Sequence, residues 1–238
     1  MKVNIVEIIS RSTQGITRPF LCRGDDSRLY YVKGNYAGRK ALCAEWVAGQ
    51  LGKRLGLPIP PIAQVQVPQE IVRYSARNDI ADLGAGIGFG SEKIDNADEL
   101  RYPFVEQIDK QLRAKILLFD WWVCNPDRTL SPDGGNPNLL WLARDRKAIV
   151  IDHNLAFEEE EMGGFWDEHI FRSDGSAWNE SFRVEMEQVF RAAIADLPSL
   201  WQELPEEWTE AATGFTFESV RILLSRFEDK PSIFWRTS

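Results

Sequence analysis

The sequence predicts an α+β chain built as two lobes, a β-rich N-lobe over residues 1–104 and a mainly helical C-lobe over 105–238. Three observations carry that expectation. Short alternating segments bounded by turn residues crowd the first hundred positions, a single long helical stretch interrupts them, and from Asp95 onward helical spacing takes over. At 238 residues, 44% hydrophobic and 27% charged, the chain has an ordinary globular composition and the length to bury a sizeable core.

In order, VNIVEII (3–9) alternates as a strand, and residues 19–23 and RLYYVK (28–33) read as two more, joined through Gly24-Asp25-Asp26. GRKALCAEWVAGQLGKRL (38–55) reads as a helix that Gly56 and Pro58 bring to an end. IAQVQV (62–67) alternates again, and GAGIGFGSEKI (84–94) is glycine-rich and extended. In VEQIDKQLRAKILLFDWWVC (105–124), Ile108, Leu112, Ile116, Leu117, Phe119 and Trp122 form a broad apolar stripe at helical spacing. Short strands follow at 138–142 and 147–151, then helices near 180–195, 198–203, 206–212 and 216–228. Residues 125–157 therefore fall where the two lobes should meet.

Charge and cysteine content remove several function classes. A net charge of −8, a pI near 5.0 and no basic run argue against direct nucleic-acid binding, which needs clustered Lys and Arg on phosphate. Cys22, Cys43 and Cys124 are widely spaced with no CxxC, and His153 and His169 are the only histidines, which disfavours a Cys/His zinc site. No run approaches the ~18 apolar residues of a membrane span, and the N-terminus lacks a signal-peptide core. The expectation is a reduced, cytoplasmic protein without membrane attachment. The nine tryptophans should fill core, and Glu158–Glu161 should be a solvated loop.

Polar residues then appear where a fold alone does not require them. Lys33 ends the strand RLYYVK. Glu45 sits on the helix between Leu42 and Trp46, a costly place for a carboxylate unless it is paired, and Lys33 is the obvious partner. In NPDRTLSPDGGNPNLLW (125–141), Asp127 follows an apolar helix, and a simple Pro-Asp turn does not explain Asn136 and Asn138 just before the strand. Asp152 closes the apolar strand AIVI. Each has a bland structural explanation when taken singly. In order, they are the set that phosphoryl transfer from ATP asks for: a Lys held by a Glu for the phosphates, an Asp for the hydroxyl proton, and amide and carboxylate oxygens for hard Mg²⁺.

On the stretches YYVKGN (30–35), LCAEWVAGQLGKRLGLPIPP (42–61), NPDRT…NPNLLW (125–141) and IDHNLAF (151–157), the sequence resembles the HipA-like kinases, and its loop resembles that of phosphatidylinositol kinases. The resemblance implies a two-lobed protein-kinase-like fold and an ATP- and Mg²⁺-dependent phosphotransferase acting on a serine or threonine of a protein substrate. It also implies an antitoxin-like regulatory partner. Lys33 matches the phosphate-binding lysine, Glu45 its partner, Asp127 the catalytic aspartate and Asp152 the metal-binding aspartate. The metal-binding asparagine stands about five residues after the aspartate in the family. Here Ser131–Gly135 lengthens the loop, so Asn136 and Asn138 both qualify, and register with the following strand favours Asn138.

SRSTQGITRP (10–19) lies where kinases place their phosphate-covering loop. It carries Gly15 alone among glycines, so Ser12, Thr13, Gln14 and Gly15 would bind nucleotide through hydroxyls and backbone N–H groups. The alternating glycines of 84–91 fail as a dinucleotide fingerprint because no helix follows them. That stretch suits the connection between lobes, where extended backbone would meet adenine, with Ser91, Glu92, Lys93 and Ile94 as the contact residues. His153 either contacts nucleotide, orients Asp152 or packs, and Arg128 braces the loop. Three rival functions use much the same residues: a lipid or small-molecule kinase, an AMP-transferase, and a nucleotide-binding pseudokinase serving as an interaction module.

Overall fold

Alternating apolar residues in the first ninety positions need a common interior, and the strands supply one by closing on themselves. In the computed structural model, which describes residues 2–12 and 17–236, five strands form a barrel: β1 (Lys2–Arg11), β2 (Phe20–Gly24), β3 (Leu29–Lys33), β4 (Ile62–Val67) and β5 (Gly86–Glu92). Their order around the barrel is β1-β2-β3-β5-β4. Neighbours are antiparallel except β1 and β4, which run parallel over Lys2–Asn4. Val3, Ile5, Phe20, Tyr30, Val32 and Val65 fill the interior.

Strand β5 explains the alternating glycines in terms of this closure. It is inserted between β3 and β4, and a Cβ on Gly90 would stand 2.6 Å from Cγ1 of Val65 inside the barrel. The stretch predicted as extended is a strand, and its glycine spacing answers to a crowded barrel wall.

Helix α1 (Arg39–Arg54) lies outside the barrel and is buried on most of its circumference. Two short helices, α2 (Gln69–Arg73) and α3 (Ile80–Leu83), lead into β5. Beyond the barrel, β6 (Asp98–Glu99) precedes α4 (Lys110–Trp122), and β7 (Leu139–Leu142) and β8 (Lys147–Val150) form a hairpin that β6 extends. The rest is helical: α5 (Phe165–Glu168), α6 (Glu180–Ala195), α7 (Leu197–Gln202), α8 (Glu206–Thr209), α9 (Phe217–Leu224), α10 (Arg226–Asp229) and α11 (Pro231–Phe234). A strand-rich N-terminal region and a helical C-terminal region are both present.

Local differences from the sequence reading have local causes. The helix expected from residue 105 begins at Lys110, because the Asp109 side chain caps it by accepting the Gln111 and Leu112 N–H groups at 3.0 Å. Residues 102–107 form a separate 3₁₀ turn. The helix expected over 216–228 is broken at Ser225 into α9 and α10. In place of a loop at Glu158–Glu161 there is a 3₁₀ turn over Glu159–Gly164; Glu159, Glu160 and Glu161 are exposed as expected, whereas Glu158 is half-buried and pairs with Lys40 at 2.6 Å.

The tryptophans do fill core. All nine belong to one large apolar cluster or pack on its edge, and that cluster runs from α1 through α4 to the last helices. The C-terminal helices also reach back to the barrel. The Trp208 indole N–H donates to the Ile87 carbonyl at 2.8 Å, and the Ile87 N–H donates to Glu207 at 3.0 Å. Replacing Gly90 by Ala should lower stability by about 1–3 kcal/mol through overpacking against Val65. Gly163→Ala, where an added Cβ meets nothing within 4 Å, should be neutral. Thermal denaturation of the two variants checks this, and equal melting points would refute the barrel-wall account.

Candidate active site

Lys33, the last residue of β3, carries its ammonium into a site that three separate elements build. It is 7% exposed and bonds to both Glu45 Oε1 and, at 2.7 Å, Asp152 Oδ1. Glu45 projects from α1 and is 2% exposed; its Oε2 accepts the backbone N–H of His153 at 3.0 Å. The sequence-predicted Lys33–Glu45 pair is therefore present, and Asp152 completes a triangle around the ammonium. Burial works against the charge of Lys33, but Asp152 and Glu45 outweigh it and hold its pKa above the ordinary value. Burial likewise opposes the charge of Glu45, yet Lys33 and His153 pull its carboxyl well below the usual range. Asp152 is shifted up, first by burial and then by its proximity to Glu45, with Lys33 acting in the opposite sense.

The β7/β8 hairpin delivers two of the predicted residues to one place. Leu139 pairs with Val150, and beyond them Ile151 N–H donates to the Asn138 carbonyl at 3.1 Å. Asn138 precedes β7 and Asp152 lies two residues past β8, so both emerge at the same end of the hairpin. Both have left-handed backbone, with φ of 46° and 58°. Such conformations cost free energy and cluster where a site demands a particular side-chain direction. Val150 N–H donates to the Pro58 carbonyl at 2.8 Å, which seats the hairpin on the segment after α1.

Asp127 stands at the start of the loop, and both asparagines converge on it. Its Oδ2 accepts the side-chain amide N–H of Asn136 at 2.8 Å and that of Asn138 at 3.0 Å. The Ser-Pro-Asp-Gly-Gly insertion folds on itself: Ser131 and Gly134 exchange backbone hydrogen bonds, and Thr129 N–H donates to the Asn136 carbonyl at 2.8 Å. Gly135 makes this possible. Its φ is +149°, and a Cβ there would stand 2.6 Å from the Thr129 carbonyl oxygen. The longer loop thus returns Asn136 to Asp127 instead of carrying it away.

A cavity of about 350 Å³ joins these groups. Lys33, Glu45, Asn136, Asn138, Asp152 and His153 line it on one side, and Ser12, Ser91, Glu92, Lys93 and Ile94 line it elsewhere. Thr13, Gln14 and Gly15 lie outside the described residues. Asp127 is not in the lining; it is connected to the cavity through its two asparagines. His153 makes no hydrogen bond to Asp152 among the described residues. Its ring packs edge-on against Phe119, with centroids 5.7 Å apart, and its Nε2 is buried without a partner.

Sequence reasoning missed the support beneath the loop. Asp120 and Arg128 are both fully buried and form a two-pronged ion pair, Nε to Oδ2 at 2.6 Å and Nη2 to Oδ1 at 3.2 Å. Asn125 and His169 add hydrogen bonds to the same carboxylate at 2.8 and 3.1 Å. Burial opposes the charge of Asp120, but Arg128 and His169 together hold its carboxyl well below the usual range. The available signal was an aspartate inside the apolar run LLFDWW (117–122), where an unpaired carboxylate would be prohibitively costly. Arg128 does brace the loop, as expected, by pairing with an acid.

Compared with protein-family models, residues 5–238 match the one described as HipA-like kinase. The chain belongs to the HipA-like kinase family. A search among curated proteins gives no match. Membership of a kinase family makes this a kinase-type phosphotransferase and implies ATP as its phosphoryl donor. The donor set also fits the metal that usually accompanies ATP. Among the described residues no group of three His, Cys, Asp or Glu could hold an ion by itself. Asp152 faces the cavity beside the amides of Asn136 and Asn138, whose carbonyl oxygens take no part in the bonds to Asp127, while the neighbouring carboxylate of Glu45 is taken up by Lys33 and the His153 N–H. Few protein oxygens suit Mg²⁺, which keeps waters and phosphate oxygens in its own shell. No helix among the described residues is long and apolar enough to cross a membrane.

Burial pushes the pKa of His169 below its ordinary 6.5, although Asp120 pulls it the other way. The unfolded chain then binds a proton at this residue before the folded chain does, so this contribution is complete above pH 6.5 and is lost as pH falls toward the folded value. Denaturant titrations between pH 7 and 5.5 should show stability declining with acidity. In His169→Gln the slope should flatten, whatever happens to absolute stability. An unchanged slope would show that His169 does not supply this dependence.

Proposed function

We propose that this HipA-like kinase is a two-lobed, protein-kinase-like enzyme, with lobes at 1–104 and 105–238, that phosphorylates serine or threonine hydroxyls of a protein. The observation that carries this reading is the buried ammonium of Lys33 set between Glu45 and Asp152 on the wall of the cavity, with Asp127 tied to Asn136 and Asn138 beside it. A lysine held by two carboxylates is fixed in place to bind phosphate oxygens, and it stays charged at any physiological pH.

The roles follow from the atoms. Lys33 binds and orients the phosphates, and Glu45 keeps it extended into the cavity. Asp127 uses Oδ2 to receive two amide N–H groups, and among the described residues its Oδ1 receives none, so Oδ1 accepts the proton of the acceptor hydroxyl. Asp152, with Asn138 and Asn136, would hold Mg²⁺, which supplies charge neutralisation on the transferred phosphoryl group. Ser12 to Gly15 cover the phosphates, and Ser91 to Ile94 and His153 contact the nucleoside. The acidic surface favours neither nucleic acid nor anionic membrane, and the protein acts in the cytoplasm with an antitoxin-like regulatory partner.

Incubation with Mg²⁺ and γ-labelled ATP, alone and with cell extract, tests the reading. Wild type should label itself or an extract protein. Asp127→Ala should lower transfer by about 10²–10⁴-fold, and Asp152→Asn and Lys33→Met should abolish it. Binding without transfer would indicate a pseudokinase, label from the α position would indicate AMP transfer, and neither binding nor transfer would sink the proposal. Transfer that persists in Asp127→Ala would remove that residue as the base.

A further inference from the structure

Arg128 does more than pair with Asp120. Its third nitrogen, Nη1, donates to the carbonyl of Asn138 and, at 3.4 Å, to those of Pro137 and Ile151. Those carbonyls belong to the peptide bonds on both sides of Asn138 and to the one immediately before Asp152. They are the backbone segments that adopt left-handed conformations at the base of the hairpin. One guanidinium therefore grips both strands of the hairpin where they present their site side chains, while its own backbone continues directly from Asp127. Its planar fork fits this task because Nε and Nη2 engage a carboxylate while Nη1 points away toward the carbonyls.

Asp120 holds the fork in turn. A lone guanidinium this deeply buried would be strongly destabilising, and two carboxylate oxygens on a rigid helix compensate it in one orientation. His169 extends the system to the segment after the hairpin. Its Nε2 bonds to Asp120, its Nδ1 accepts the Phe171 N–H at 3.0 Å, and the Ile170 N–H donates to the Arg128 carbonyl at 3.0 Å.

We infer that Asp120 is a positioning residue that acts through Arg128 to set Asp127, Asn138 and Asp152 in register for phosphoryl transfer. This rests on the kinase reading for its catalytic consequence. The consequence for backbone order at the hairpin base does not depend on that reading. Neither Asp120 nor Arg128 lines the cavity, so their loss should spare nucleotide binding by Lys33 and act on the chemical step.

The full-length chain serves for the test. In steady-state transfer from MgATP, Asp120→Asn and Arg128→Lys should lower kcat by about 10- to 100-fold, with KM for ATP within roughly threefold of wild type. Hydrogen–deuterium exchange should show faster exchange over residues 136–153 in both variants, with α6 unchanged. A folded variant whose kcat stays within about twofold of wild type, or whose loss lies wholly in KM, would overturn the inference. So would unchanged exchange at the hairpin base. If Asp120→Asn does not fold, Arg128→Lys decides, and failure of both to fold by circular dichroism would assign the pair a purely structural role. A wild type inactive toward ATP would remove the kinase reading, and the exchange measurement would still decide the positioning of the hairpin.

Discussion

A buried cation imposes the most demanding constraint in this molecule. Lys33 cannot remain charged at 7% exposure unless anions meet it, and the two that do come from α1 and from the residue pair after β8. Barrel, helix and hairpin must therefore be placed relative to one another before the charge is tolerable. Glu45 reinforces that placement, since one oxygen takes the ammonium and the other takes the backbone N–H of His153. One carboxylate thus links the N-terminal strand to the C-terminal hairpin. The shifts follow from the same burial and proximity: the lysine is raised and Glu45 is lowered by their partners against burial, and Asp152 is raised by burial first and by the nearby Glu45 after it.

Apolar packing divides differently from the polar site. The interior of the barrel is its own cluster, whereas α1 is packed into the large cluster of α4 and the C-terminal helices. Helix α1 follows the barrel strands in sequence and belongs with the helices in packing. That dual membership lets Glu45 reach both Lys33 and the hairpin, and the contacts of Trp208 and Glu207 with Ile87 tie the last helices to β5 as well. The cavity lies against this junction, lined by Phe89 and Ile62 from the barrel and by Leu139 and Val150 from the hairpin.

The loop from Asn125 to Trp141 is ordered from both sides. Above, a self-bonded insertion brings Asn136 back to Asp127. Beneath, the buried Asp120–Arg128 pair holds the peptide groups that present Asn138 and Asp152. The question of which asparagine serves the site changes form accordingly. Both donate to the same aspartate oxygen, and Asn138 alone also shares the hairpin base with Asp152.

Much of the architecture was legible in the residues themselves. Period-two alternation marked the strands, and helical spacing ending at Gly56 and Pro58 marked α1, because side-chain periodicity is a local property of the chain. The Lys33–Glu45 pair was legible too, since a glutamate among Leu42, Ala48 and Trp46 has to find a cation. The closure of the sheet into a barrel was not legible, because alternation assigns faces and does not choose partners. The start of α4 was misplaced because periodicity continues smoothly through residue 105 while the Asp109 cap decides the boundary. Asp120 escaped notice because its partners, Arg128 and His169, are brought to it by the turn of the loop and the return of a distant segment. By itself the sequence determined which side chains needed burial, which charges needed partners, and that the chain carries the residues of a HipA-like kinase. Only the tertiary structure decided which partner each charge received, because a buried ion pair is selected by distance and desolvation, and neither can be read along a chain.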